Sequence, residues 1–381
     1  MKVVSIDDLR RIAKRRLLKA IYDYVAGGAY RELTLARNRA DLDALIFRGT
    51  TMSDVSTLNT ATTPAGDPAS MPLALAPVGM AGITWPNGEI AAACAAEVFG
   101  IPFCLSTFSI ASIEDVAAAT TWPFWSQLYM MRQRGVNSRL IARADAAGCS
   151  ALVMTLDVHV HSQRWADTRN GLTSPIRGTP ANMLNMLGHL PWALRMLASR
   201  RRTFATMQAE HPQARNVLEL AAWINANLDD SIDVETMRWV RSLWTRKFIL
   251  KGILTIDDAR RAVDLGADAI VVSNHGGWQL DGAPSTISVL PEIARAVGGE
   301  VEVLWDGGIL TGFDIVRAMG LGAQGCLSGR AWAYGLAADG SAGVTEALML
   351  LRRELLDCMA LTGARDITDL PPDLVKRSGQ E

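Results

Sequence analysis

Short apolar runs recur along this chain, each preceded by an amphipathic stretch that closes on a small residue and glycine. Gly148 leads into Ala151-Leu-Val-Met-Thr-Leu-Asp157, and Gly266 into Ala269-Ile-Val-Val-Ser-Asn-His275. Gly322 leads into Gly325-Cys-Leu-Ser-Gly-Arg330, and Gly100 into Phe103-Cys-Leu-Ser-Thr107. Each glycine predicts a helix C-cap. Each run is short and does not alternate, as a parallel strand covered on both faces requires. Leu73 to Met80, Trp125 to Met130, Phe248 to Gly252 and Val301 to Gly308 fit the same role. Eight βα units predict the α/β class and a TIM (β/α)8 barrel. A doubly wound open sheet is the alternative, but the glycine fingerprint expected after its first strand is missing.

Two segments fall outside the repeat. Residues 1–65 predict a helical extension packed on the barrel. Ser5-Ile-Asp-Asp8 reads as a capping-box start, and one amphipathic helix is expected through Ile21-Tyr-Asp-Tyr24 to Gly27-Gly28. The barrel spans 66–370, interrupted by an insertion at 171–235 after the fourth strand, and 371–381 form a C-terminal tail. Insertions of that size are usually lids, interfaces or binding elements.

In a barrel the site lies at the C-terminal ends of the strands. Those ends read Gly79, Ser106, Gln127 with Tyr129, Thr155 with Asp157, Lys251, Ser273 with His275, Asp306-Gly307-Gly308, and Gly329-Arg330. A chain that merely folds has no need of polar residues or glycine at nearly every tip. His275 is the candidate general base, because imidazole titrates near neutrality, and Asp157 is its orienting carboxylate. Lys251 suits stabilisation of negative charge on a cofactor ring. Ser106, Gln127 and Thr155 suit hydrogen bonds to a polar heterocycle. Asp306-Gly-Gly308 and Gly329-Arg330 predict a phosphate site built from backbone N–H groups, a helix N-terminus and a guanidinium. His159, His161, His189 and His211 lie on loops or in the insertion and are assigned no catalytic part.

Composition narrows the setting. Net charge is -1, so no global field recruits nucleic acid. The five cysteines (Cys94, Cys104, Cys149, Cys326, Cys358) show no metal spacing and read as buried thiols of a reducing compartment. No metal site is expected. The N-terminus lacks the apolar core of a signal peptide and no run is long enough to span a bilayer, so the cytoplasm is the expected location.

Taken in order and spacing, these motifs resemble the FMN-dependent L-2-hydroxy-acid-oxidising family, which includes glycolate oxidase, flavocytochrome-type lactate dehydrogenase and (S)-mandelate dehydrogenase. The resemblance runs from about Ser5 to Leu370. It rests on Tyr22-Asp-Tyr24, Gly28-Ala29, Ala76-Pro-Val-Gly79, Leu105-Ser106, Gln127-Leu-Tyr129, Thr155-Leu-Asp157, Arg164 with Asp167, Leu250-Lys-Gly252, Ser273-Asn-His-Gly-Gly277, Asp306-Gly-Gly308 and Gly329-Arg330. Trp85-Pro86, Ser112-Ile-Glu-Asp115 and the length of 171–235 look most like the mandelate dehydrogenase members.

The resemblance implies FMN as cofactor and a set of roles. Pro77, Val78 and Gly79 face the reactive edge of the flavin. Ser106, Gln127, Thr155, Lys251 and Ser273 hold the ring, and Asp306, Gly307, Gly308, Gly329 and Arg330 hold the ribityl phosphate. His275 takes a proton from substrate, Asp157 stabilises the imidazolium, Tyr129 binds the substrate oxygen, and Tyr24 and Arg164 bind its carboxylate. The family also implies a homotetramer. Gly79, where glycolate oxidase carries alanine, leans toward an electron acceptor other than oxygen; oxygen, a quinone or a protein all stay open.

Three positions depart from the pattern. Trp278 stands where the family has an arginine three residues after the histidine, its main carboxylate clamp. Leu310 stands where an arginine follows the Asp-Gly-Gly motif, a loss expected to loosen FMN. Val158-His-Val-His-Ser-Gln163 replaces the usual glycine before Arg164. Tryptophan cannot make a bidentate carboxylate contact. Either the substrate is a large aromatic hydroxy acid stacked on Trp278, or it carries no free carboxylate and is an ester, amide, amine or peptide-derived intermediate. A flavin-binding protein without catalysis is a further alternative, disfavoured by the intact base.

Within the insertion, Met183-Leu-Asn-Met-Leu187 and Trp192-Ala-Leu-Arg-Met-Leu197 precede Arg200-Arg201-Arg202. Apolar residues beside a basic cluster make 183–204 a candidate for peripheral membrane contact, as the corresponding segment does in mandelate dehydrogenase. A lid or subunit-interface helix is the competing expectation.

Overall fold

The computed structural model describes residues 2–172 and 185–377. The N-terminal extension contributes three helices: α1 (Ile6–Arg16), α2 (Lys19–Ala26) and α3 (Leu33–Asp43). Ser5 caps α1 by accepting the Asp8 amide. The single helix expected here is broken, because Leu17 and Leu18 take extended backbone and bury their side chains at the break. Strand β1 (Leu45–Phe47) pairs antiparallel with β10 (Val375–Arg377), so part of the C-terminal tail is a strand.

The barrel strands are β2 (Leu73–Leu75), β3 (Cys104–Leu105), β4 (Trp125–Leu128), β5 (Ala151–Thr155), β6 (Lys247–Ile253), β7 (Ala269–Val272), β8 (Glu302–Trp305) and β9 (Gly325–Ser328). All pair in parallel, each with its chain neighbour, and β2 pairs with β9. The Leu75–Phe103 bridge joins β2 to β3 and completes the ring. The chain is a TIM barrel. Gly100, Gly148, Gly266 and Gly322 all take positive φ where helices end, which is why glycine precedes these strands.

Helices cover the outside: α4 (Gly88–Phe99), α5 (Ile113–Ala117) and α6 (Arg134–Ala146) follow β2, β3 and β4. After β5 come α7 (Trp165–Arg169), α8 (Leu190–Ala198), α9 (Ala205–Gln208), α10 (Val217–Asn227) and α11 (Val234–Leu243). The ring closes with α12 (Ile256–Asp264), α13 (Thr286–Val297), α14 (Gly312–Gly320) and α15 (Arg330–Thr362). Four cysteines are buried; Cys94 is only half-buried, because it lies at the edge of the packed face of α4. All five are free thiols.

Strand periodicity positions the site. The barrel interior is filled by Ala74, Cys104, Trp125, Val153, Ile249, Val271, Leu304 and Leu327. Side chains two residues apart share a face of a strand. The next inward layer is therefore Ala76, Ser106, Gln127, Thr155, Lys251, Ser273, Asp306 and Gly329. The polar ring read from the strand tips is one layer of inward-facing side chains seated on an apolar plug.

Candidate active site

A cavity of about 1300 Å³ opens above that layer. Ligand pockets usually span ~300–1000 Å³, so this one has room for a cofactor and a sizeable second molecule. Its wall includes Pro77, Val78, Gly79, Thr155, Lys251, Asp306, Gly307, Gly308, Gly329 and Arg330. It also includes Tyr24, Tyr129, Arg164, His275 and Trp278. Asp157, Ser106, Gln127 and Ser273 stand behind the wall and act on it through hydrogen bonds.

His275 sits between Asp157 and Tyr129. Its Nδ1 lies 2.9 Å from Asp157 Oδ1, and its Nε2 lies 3.2 Å from the Tyr129 hydroxyl. The second oxygen of Asp157 is buried without a hydrogen-bond partner in the structure. Burial pushes the Asp157 carboxyl up, but the nearby His275, their hydrogen bond and Lys251 outweigh it, so Asp157 is held below the usual carboxylate range. Burial and the Asp157 charge push the Tyr129 phenol well above its ordinary value, which keeps it a neutral donor. His275 takes a φ of 57°, a left-handed backbone that costs a side-chain-bearing residue ~1–3 kcal/mol. Strain of that size persists only where surrounding contacts enforce it.

The lower layer forms two hydrogen-bonded groups. Ser106 Oγ donates to Gln127 Oε1 at 3.2 Å, and Gln127 Nε2 donates to Thr155 Oγ1 at 3.0 Å. Lys251 Nζ is 2.9 Å from Asp306 Oδ2 and donates to Ser273 Oγ at 2.6 Å. Burial works against the Lys251 charge, but Asp306 and Asp157 outweigh it and raise its pKa. Lys251 is a cation at neutral pH, fixed beneath the cavity.

Several features fit FMN. Asp306 Oδ1 and Arg330 Nε are buried polar atoms of cavity-lining residues without partners in the structure. Buried polar groups are normally hydrogen-bonded, so these point to a polar ligand. Gly307 and Gly308 have φ of 135° and 116°. A Cβ on Gly307 would fall 2.0 Å from Thr286 Oγ1, so only glycine lets the backbone pass there. Arg330 opens α15, where helix N–H groups and a guanidinium meet, an arrangement suited to a phosphate. Its guanidinium donates to the carbonyls of Gly276 and Gly27 at 2.9 and 2.8 Å. If FMN binds here, Lys251 and Thr155 would hold its ring, and Gly308, Gly329 and Arg330 its phosphate.

Trp278 occupies the slot beside His275. Its indole Nε1 donates to Gly27 O at 2.5 Å, and its ring lies 5.1 Å from the Arg164 guanidinium and 5.4 Å from that of Arg330. Arg164 also lies 4.9 Å over Tyr24 and pairs with Asp167 at 2.9 Å. Tyr24 donates its hydroxyl to Gly79 O at 3.2 Å. Leu310 lies on the cavity wall near the phosphate end, and the neighbouring Arg39 is held by Asp314 and Asp43.

Sequence reasoning missed part of the wall. Leu35 and Arg39 come from α3, and Phe204, Val217, Ala221 and Asn225 from the insertion. His161 faces the cavity too, beside Asn225, its pKa lowered by burial and Arg164. No local motif marks these residues; only long-range packing brings them to the site.

Comparison with known proteins agrees with this geometry. Residues 13–377 match the family described as FMN-dependent dehydrogenase. The L-lactate dehydrogenase of Caulobacter vibrioides (strain NA1000 / CB15N) is 43% identical over 373 residues, 97% of each chain. That of Pseudomonas aeruginosa (strain LESB58) is 41% identical and covers 99% of each chain. Among solved structures, the monotopic membrane protein (S)-mandelate dehydrogenase superposes with a TM-score of 0.95 at 36% identity, covering 99% of this chain and 100% of that one. Mandelate oxidase gives 0.82 at 36% identity, covering 96% of each. The chain belongs to the FMN-dependent dehydrogenase family and is an FMN-dependent oxidoreductase of the 2-hydroxy-acid type.

Proposed function

We propose that this enzyme oxidises a bulky, aromatic 2-hydroxy acid to the 2-oxo acid, with His275 as the base. The observation that carries the reading is the Asp157–His275–Tyr129 line at the cavity wall. His275 Nε2 faces the cavity and accepts one substrate proton, while Asp157 balances the imidazolium that forms. Tyr129 donates to the substrate oxygen. Arg164 and Tyr24 hold the carboxylate, and Trp278 offers its ring to the substrate side chain. Bound FMN supplies the two-electron acceptor. Anaerobic mixing with (S)-mandelate tests this: the visible flavin absorbance bleaches faster than with L-lactate. No bleaching by any aromatic hydroxy acid sinks the reading.

One observation favours a second reading. The Arg164 charge is already matched by Asp167 at 2.9 Å, and aromatic rings lie against the guanidinium from Tyr24 and Trp278. A carboxylate bound there would share the Arg164 guanidinium with Asp167, at a cost in mutual repulsion. A neutral ester or amide head group avoids that cost, and an amine does so only as its uncharged free base. Bleaching by mandelate methyl ester or amine analogues, but by no free acid, selects this reading.

We also propose peripheral contact with an anionic membrane. Leu190, Leu194 and Leu197 lie on α8 at helical spacing, each more than half exposed, with Arg195 and Arg200 nearby. Among the described residues no helix is long and apolar enough to cross a membrane. Residues 183 and 184 of the segment singled out from the sequence lie outside the described residues. Co-sedimentation with phosphatidylserine vesicles, lost in Leu194→Glu, tests the contact. A homotetramer is proposed from the family resemblance, and light scattering reads it directly.

A further inference from the structure

Two buried amides lock together beside the base. Asn38 Nδ2 donates to Asn274 Oδ1 at 2.9 Å, and Asn274 Nδ2 donates back to Asn38 Oδ1 at 2.7 Å. Asn274 Nδ2 also reaches Pro284 O at 3.0 Å. Asn38 belongs to α3 in the N-terminal extension, whereas Asn274 directly precedes His275. Both are almost fully buried. A reciprocal amide pair fixes both side chains and, through them, the backbone that carries them.

The rest of the extension grips the far side of the same loop. Ala29 N donates to Gly277 O at 2.9 Å, and Trp278 Nε1 donates to Gly27 O. Thr34 Oγ1 donates to Leu280 O at 2.9 Å, and Asp281 accepts the amides of Arg31 and Thr34. His275 thus lies between two clamped flanks, in a left-handed conformation that its own side chain disfavours. On the flank before it, the clamp from the extension is Asn38.

We propose that Asn38 is a positioning residue for the base. Acting through Asn274, it holds the His275 turn so that Nδ1 meets Asp157 and Nε2 faces Tyr129 and the cavity. The kinetic consequence rests on the reading of His275 as base; the geometric one does not. The test uses full-length, FMN-loaded Asn38→Leu, Asn274→Leu and the double variant, with imidazole-15N-histidine. The chain has five histidines, so the imidazole spectrum is sparse, and His275→Ala assigns the signal of interest.

In Asn38→Leu the His275 Nδ1–H signal shifts or broadens. Flavin reduction by (S)-mandelate, per bound FMN, falls about 10- to 100-fold with little change in half-saturation, because misplacement harms the reacting geometry more than binding. Asn38→Asp keeps size but loses the donor to Asn274 Oδ1, and serves if the leucine variant does not fold; it shows the same kind of signal change. A merely structural pair predicts lower thermal stability or FMN content, with the His275 signal and the rate per bound FMN unchanged; that result overturns the proposal. A moved His275 signal in the variant, where mandelate fails to bleach even the parent enzyme, supports the positioning role and rejects the proposed substrate.

Discussion

His275 Nδ1 and Asp157 Oδ1 stand 2.9 Å apart, and the other Asp157 oxygen has no hydrogen-bond partner in the structure. The carboxylate is therefore placed to orient the imidazole and to balance its charge. Asp157→Asn keeps the shape but removes the charge that stabilises an imidazolium. The rate of flavin reduction should fall on the order of 10²-fold or more while FMN stays bound. Stopped-flow reduction with the absorbance ratio of protein to flavin checks both halves; an unchanged rate would remove Asp157 from the mechanism.

Trp278→Arg places a guanidinium beside His275. With a carboxylate present, charge-assisted hydrogen bonds add ~1.5–3 kcal/mol, so kcat/KM for L-lactate should rise about 10- to 100-fold. The slot is already flanked by Arg164 and Arg330, so the ligand-free variant should also melt lower. Steady-state kinetics and a thermal scan read the two effects. No gain on lactate would mean that the slot is too wide for a small acid to bridge.

Leu310 stands where the family resemblance implies an arginine near the FMN phosphate. The donors of Arg39, the nearby guanidinium, go to Asp43, Asp314 and Gly308 O. Leu310→Arg should tighten FMN by roughly tenfold, about 1.4 kcal/mol. Fluorescence titration of FMN into stripped protein measures this. Equal affinity would mean that backbone groups and Arg330 already saturate the phosphate.

Much of this site was legible because strand periodicity is local. The glycine stops and short apolar runs marked eight strands and put Ser106, Gln127, Thr155, Lys251, Ser273 and Asp306 at their tips, and the two-residue period of a strand sets those tips on one inward layer in the fold. What stayed hidden depends on distant chain segments. Asn38 meets Asn274 across more than 230 residues, and Phe204 and Asn225 reach the cavity through an insertion that carries no motif. The break between α1 and α2 was missed because Leu17 and Leu18 fit a helical pattern, yet pack best with extended backbone.

Arg201 ties the insertion to the barrel by a two-pronged contact with Asp115, at 2.6 and 2.9 Å. Arg201, with help from Ser112, holds the Asp115 carboxyl at about 2, below its usual 3.8. A depressed carboxylate stabilises the fold above its unfolded pKa and loses that effect as pH falls through the folded one. Arg201→Ala should therefore lower Tm by about 1–3 °C near neutrality. The gap should hold down to about pH 4 and narrow toward about pH 2. A gap independent of pH would show that packing, not the ion pair, holds the insertion.

Whether His275 is the base is decided by anaerobic flavin bleaching of His275→Ala beside the parent enzyme. The panel pairs (S)-mandelate and larger aromatic hydroxy acids with their methyl esters and amine analogues. With His275 as base, at least one of these bleaches the parent, and the variant keeps its FMN spectrum but stays oxidised over the same interval. Bleaching of the variant at the parent rate would contradict that role.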